Sequence, residues 1–134
     1  MSMKTRVAVI TGASKGLGLA ISLILADRGF KIVGVARNET PEFAHLRLTR
    51  PDTIFFEPAD LSELSKIRAV AEMIHKRYGR VFALVNNAAI GGDGVLATMH
   101  ETDIELVMRV NLHAPILLAK YLCKGMLINR EGRI

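Results

Sequence analysis

One cysteine, no tryptophan and four prolines in 134 residues close off several classes of function at once. Cys123 alone cannot form an internal disulfide, so the fold must rest on a packed core, and a free thiol suits a reducing, cytoplasmic setting. Two tyrosines and five phenylalanines are spread too thinly to build the stacking platform of a nucleic-acid binder. The net charge of +5 comes from scattered lysines and arginines with no basic run or stripe. Nucleic acid is therefore not an expected partner, and modest basicity fits a phosphate-bearing small ligand instead. His45, His75, His100 and His113 lack metal-ligand spacing and have no cysteine partner, so no metal site is expected. The longest apolar stretches, Ala20–Ala26 and Ala114–Ala119, are far too short to span a bilayer, which leaves no membrane partner to expect. Lys4 and Arg6 ahead of Val7–Ile10 resemble the start of a signal peptide, but the apolar region is too brief and runs into a Gly-rich turn, so no targeting segment is expected.

What is present is apolar and regularly ordered. Half of the residues are hydrophobic, with a mean hydropathy of +0.27, enough for one domain over residues 1–134 with a real core. Arg6–Ile10 reads as a buried strand that ends in a Gly-rich turn. Gly16–Arg28 places Leu17, Ala20, Ile21, Ile24 and Leu25 at helical spacing, and Gly29 stops it. Phe30–Val35 is a second strand, Glu39–Leu48 a short helix between Pro41 and Pro51, and Thr53–Phe56 a third strand ended by Pro58. Ser62–Tyr78 is a helix with Ser62 as its expected N-cap and Gly79 as its stop. Val81–Val85 is a fourth strand, 86–98 a polar, Gly-rich loop, and a long helix runs from about Glu101 to Leu127. Arg133-Ile134 starts a fifth strand. Strands and helices alternate throughout, the pattern of a parallel sheet covered on both faces.

Three motifs could carry chemistry. Thr11-Gly12-Ala13-Ser14-Lys15-Gly16-Leu17-Gly18 lies directly between a strand and a helix. Glycines there permit a tight turn, close approach of the backbone to a pyrophosphate and close helix–strand packing, while the helix N-terminus offers free N–H groups. The spacing is G-x-x-x-G-x-G rather than G-x-G-x-x-G, so the strand–turn–helix context carries the inference. At the end of strand two an NAD site places a carboxylate for the ribose hydroxyl; Val35-Ala36-Arg37-Asn38 stands here instead. A guanidinium matches a phosphate in charge and fork geometry, so Arg37, with Lys15 as a second cation, points to the 2′-phosphate of NADP over NAD. Asn86-Asn87-Ala88-Ala89 follows strand four, where small residues admit a ligand close to the backbone.

With Asp60-Leu61 after strand three and Asn111 in the long helix, these motifs resemble the short-chain dehydrogenase/reductase family in its classical branch, in family order along essentially the whole chain. Ala89 stands where the family's Asn-Asn-Ala-Gly signature has glycine. The resemblance implies a Rossmann-type doubly wound parallel sheet, reaching here to the start of the fifth strand. It implies an oxidoreductase that moves a hydride between NADP(H) and an alcohol/carbonyl substrate. Gly12, Ser14, Lys15, Gly16, Leu17, Gly18, Arg37, Asp60, Leu61, Asn87, Ala88 and Ala89 would contact the cofactor. Asp60 would touch the adenine ring, and Asn111 would hold a catalytic water through its carbonyl. Pro115 adds a physical reason, because it has no N–H to give the carbonyl four residues back. It either frees the Asn111 carbonyl for water or is an incidental kink with ordinary solvation.

The family's Tyr-x-x-x-Lys pair is not in these residues. Four positions past Tyr78 and Tyr121 lie Phe82 and Gly125. The expectation is a truncated form without turnover, which associates into a homo-oligomer through the long helix or is unstable. The alternative is a non-catalytic nucleotide-binding or oligomerisation module. A Rossmann-type methyltransferase would fit the glycine turn, but not Asn86–Ala89 together with Asn111.

Overall fold

The computed structural model describes residues 5–134; Lys4 of the expected basic flank lies outside them. Four parallel strands, β1 (Val7–Thr11), β2 (Lys31–Ala36), β3 (Ile54–Pro58) and β4 (Val81–Val85), form one sheet in the order β3-β2-β1-β4. The order reverses beside β1, so the crevice between the carboxyl ends of β1 and β4 is the topological switch point where open α/β sheets bind ligands. Arg133 adds a single parallel bridge to Ala83, donating its N–H to Phe82 O at 2.9 Å and accepting from Leu84 N at 3.0 Å. The expected fifth strand begins there.

Strand pleating sorts the core into two layers. Val7 and Val9 of β1, with Val33 and Val35 of β2, face α3 (Leu64–Tyr78) and α5 (Ala114–Asn129), where Ile67, Ala71, Ile74, Leu118 and Leu122 meet them. Ala8, Ile10 and Ile32 face the opposite layer, α1 (Gly16–Asp27) and α2 (Pro41–Thr49), with Phe43 at its centre. Phe43 is fully buried in a notch at Gly34, where a Cβ would lie 2.5 Å from the Phe43 ring. Near-continuous apolar strands follow from this two-sided burial.

Several element ends differ from the sequence-based expectation. β2 starts at Lys31 because the Phe30 N–H is used in closing α1, bonding Leu25 O at 3.1 Å. β3 runs through Pro58; it is an edge strand, so a missing N–H is tolerated. Ser62 does not cap α3. Its hydroxyl and its N–H both turn to the Asp60 carboxylate, the N–H at 2.9 Å, because an Asp side chain competes for nearby donors, and the helix starts two residues later.

The expected single long helix is three pieces. α4 (Glu101–Met108) leads into a π-helical turn over Arg109–His113, then α5. The Ala114 N–H reaches back five residues to Arg109 O, and Pro115 stands in the first turn of α5. A π turn at this point fits the bend expected from a proline that cannot donate to Asn111. Ala114, Leu118, Leu122 and Met126 face inward at four-residue intervals, whereas Met108, Leu112 and Ile116 are exposed. Taken together, the 29 residues Glu101–Asn129 are long and apolar enough to cross a membrane by length and composition. No single apolar stretch in the sequence is that long, because polar residues such as Arg109, Asn111 and Lys120 interrupt the run. Its inward face is packed on the sheet here, a contact that a bilayer span would have to give up.

Candidate functional site

A cavity of about 760 Å3 opens at the carboxyl ends of the strands. Its floor is the glycine turn. Gly12 has φ +63° and Gly16 φ +55°, conformations that glycine adopts at no steric cost. A Cβ on Gly12 would lie 2.9 Å from Ala88 Cα, so glycine also permits the two loops to touch. The N-terminus of α1 is left open. Its N-cap, Lys15, is extended and makes no side-chain cap bond, and the first turn carries no acidic residue. Unpaired N–H groups at the positive end of a helix dipole form an anion site. α2 is built the other way: the Thr40 hydroxyl accepts from Phe43 N at 3.3 Å and donates to Ser14 O. Thr40 thereby ties α2 to the back of the glycine turn.

The other wall is held across the switch point by a reciprocal latch. Thr11 Oγ1, at the end of β1, accepts from Asn87 N at 3.1 Å and Ala88 N at 3.0 Å. Asn87 Nδ2 returns donations to Thr11 O at 3.1 Å and Gly12 O at 3.2 Å. Asn111 extends the scaffold: its side chain accepts from Ile90 N at 2.9 Å and donates to Ile90 O at 2.7 Å. One amide thus pins the residue that follows Asn86–Ala89 to the π-helical turn. That role for the Asn111 side chain had no signal in the sequence.

Of the residues expected at the cofactor, Gly12, Ser14, Lys15, Gly16, Arg37, Asp60, Leu61, Asn87, Ala88 and Ala89 line this cavity. Leu17 and Gly18 do not. Leu17 lies about 100° round the helix from Gly16, with 68% of its surface exposed to solvent. Gly18 is buried against Gly12, and a Cβ there would lie 2.7 Å from Asn87 Nδ2, so glycine is needed there for close packing. Asn111 is outside the lining, beside Val110, which is part of it. Asn38, Thr40 and Ser62 line the cavity without having been anticipated. Thr40-Pro41 could have been read as an N-cap and N1 pair. The Ser62 hydroxyl, then its N–H, and the charges of Arg37 and Lys66 hold the Asp60 carboxyl below the ordinary range. Hydrogen bonds and nearby cations both favour the ionised form.

The two tyrosines lie away from this cavity. Tyr78 donates to the buried Glu57 carboxylate at 2.5 Å, which Arg77 also contacts at 2.8 Å. Burial, followed by the Glu57 hydrogen bond and charge, pushes the Tyr78 phenol up to about 12, which suits an anchor for α3 and not a proton donor near neutral pH. Tyr121 sits in the α3–α5 seam, half-buried among Lys120 and the core. Among the described residues, no group of three His, Cys, Asp or Glu is placed to hold a metal ion.

An uncapped helix end beside a glycine turn, at a switch point and with Arg37 in the same lining, fits a dinucleotide. The family model described as short chain dehydrogenase matches residues 6–134. The chain belongs to the short-chain dehydrogenase family. Among curated relatives it is 34% identical to the 3-oxoacyl-(acyl-carrier-protein) reductase of Vibrio cholerae, covering 100% of this chain and 54% of that protein. It is 35% identical to nodulation protein G of a Rhizobium species, covering 96% and 52%. A short-chain dehydrogenase from Streptomyces avermitilis superposes with a TM-score of 0.91 at 30% identity, over 98% of this chain and 48% of that one. A metagenomic short-chain oxidoreductase solved in complex with NADP gives 0.88 at 32% identity, over 98% and 60%. This short-chain dehydrogenase chain therefore spans about half the length of the curated relatives it matches.

Proposed function

We propose that these residues form the cofactor-binding half of an NADP(H)-dependent oxidoreductase acting on an alcohol/carbonyl pair. The observation that carries this reading is the open N-terminus of α1 at the glycine turn, in one cavity with Arg37. When bound, the nicotinamide dinucleotide supplies the hydride chemistry. The residues supply position and charge. The N–H groups of α1 receive the pyrophosphate, and the fork of Arg37, with Lys15 nearby, neutralises the 2′-phosphate. Asp60, ionised across the neutral pH range, accepts from the adenine amino group. Ala88 and Ala89 keep the wall low beside the ring, and the Thr11–Asn87 latch holds that wall in place before the ligand arrives. The Asn111 carbonyl, deprived of its fourth-residue donor by Pro115, orients a water for proton transfer. NADP in complex with one structural relative supports the choice of cofactor, and the absence of a carboxylate at the end of β2 supports it independently.

The 134 residues contain no Tyr-x-x-x-Lys pair, so by themselves they bind cofactor without turning over substrate. Residues that the relatives carry beyond the matched half would complete the proton transfer. A reducing cytoplasm is the setting, and a homo-oligomer the working form. The test is titration of NADPH and NADH into the wild-type protein and Arg37→Ala. The variant should lose roughly tenfold or more in NADPH affinity and keep NADH affinity, the size expected for removing one charge-assisted forked contact. Equal loss of both cofactors would sink the assignment. NADPH consumption by the 134-residue chain with a carbonyl compound would overturn the claim that it lacks turnover.

A further inference from the structure

Residues 37–40, which connect β2 to α2, carry one carboxylate, Glu39. Its neighbours Asn38 and Thr40 both line the cofactor cavity, and Glu39 does not. Its side chain runs to Arg47 in the last turn of α2. Arg47 Nε donates to Oε1 at 2.7 Å and Nη2 to Oε2 at 3.1 Å. Two parallel N–H···O bonds fix direction as well as partner. The pair is partly sheltered, with Glu39 23% exposed and Arg47 36%, so screening by water is incomplete. The frame behind it is rigid. Thr40 fastens the start of α2 to Ser14 of the glycine turn, and Phe43 is locked into the notch at Gly34.

A carboxylate shortly after the second strand is the group by which NAD sites hold the ribose hydroxyl, and it repels a phosphate at the same place. The chain places a carboxylate two residues beyond Arg37 and then ties it down. We propose that Arg47 is a positioning residue for cofactor choice: it holds the Glu39 carboxylate along α2, off the ribose end of the cavity, so that Arg37 and Asn38 meet the 2′-phosphate without a competing negative charge. The inference rests on the reading of this cavity as an NADP(H) site. A salt bridge serving only to fasten the loop would affect both cofactors alike, because both place the same ribose against it.

The experiment measures NADPH and NADH dissociation constants by fluorescence titration for the wild type, Arg47→Met, Glu39→Gln and the double variant. Thermal melts followed by circular dichroism verify that each is folded. Freeing Glu39 should weaken NADPH binding roughly tenfold, as expected for a like charge brought within about 8 Å of the phosphate, and leave NADH unchanged or tighter. Removing the freed charge in the double variant should restore NADPH affinity. Equal weakening of both cofactors by Arg47→Met, or no rescue in the double variant, overturns the proposal. Arg37→Ala separates the two levels of the argument. A wild type without NADPH preference, or a preference that Arg37→Ala does not move, removes the NADP(H) reading and this inference with it. A preference that depends on Arg37 and ignores Arg47 removes this inference alone.

Discussion

Thr11→Val is the sharpest probe of how the site is held together. Valine keeps the shape of threonine and replaces the hydroxyl with a methyl group. Thr11 is 1% exposed, so water does not reach the Oγ1 end of the lost hydrogen bonds. Of the two amides that Oγ1 accepts, Asn87 N keeps a second acceptor, Val85 O at 3.0 Å. Ala88 N has no second acceptor among the described residues, and its bond to Oγ1 is 3.0 Å. The donation from Oγ1 to Val85 O is long, at 3.4 Å, and its loss counts for little. The net change is one part-buried amide left without its acceptor, which costs about 1–3 kcal/mol. A central value of about 2 kcal/mol lowers the melting temperature of a domain this size by about 6–8 °C. Thr11→Ser keeps the acceptor and gives up one buried methyl group, about 1 kcal/mol. Chemical denaturation gives the energies, and amide hydrogen exchange reads the cause: Ala88 should lose protection in the valine variant and keep it in the serine variant. A valine variant within about 0.5 kcal/mol of wild type, or unchanged protection at Ala88, would refute the latch.

Two further outcomes follow from other parts of the molecule. The Tyr78 phenol, raised to about 12 by burial and Glu57, stabilises the fold while protonated; that contribution is complete below the unfolded-state value near 10 and is lost as the pH climbs towards 12. Denaturation of wild type between pH 9 and pH 11 should therefore show a fall in stability that Tyr78→Phe lacks, and parallel curves would dismiss the linkage. On the outer face of the α4–α5 segment, Met108 and Ile116 are 46% and 56% exposed, an apolar stripe suited to a second copy. Light scattering of the Met108→Glu/Ile116→Glu double variant should report a smaller mass than wild type, and an unchanged mass would exclude this face as the contact.

The order of strands and helices was legible in the sequence because local signals agree with the global fold. β1 and β2 are buried on both faces and read as apolar runs, α3 shows its inward stripe at Ile67, Ala71 and Ile74, and Gly29 and Gly79 mark the helix ends with positive φ. The glycine turn was legible for the same reason, since its spacing and its position after a strand are both properties of consecutive residues. Arg37 stood out by an absence, the missing carboxylate at the end of β2.

What the sequence could not assign were partners that lie far apart along the chain. Thr11 meets Asn87 and Ala88 across 76 and 77 positions, and Thr40 meets Ser14 across 26. Nothing local distinguishes a threonine that latches a switch point from one that faces water. Ser62 looked like a cap until Asp60, two residues away, engaged its hydroxyl as well as its N–H. Leu17 and Gly18 belong to the glycine motif by position, yet helix rotation turns one to solvent and packing buries the other. Periodicity and turn chemistry, set by neighbours in the chain, determined the fold class and the site's address. Which polar atoms hold that site open was decided only when β1, β4 and the α2 frame came together, because a hydrogen bond is specified by meeting in space and not by spacing along the chain.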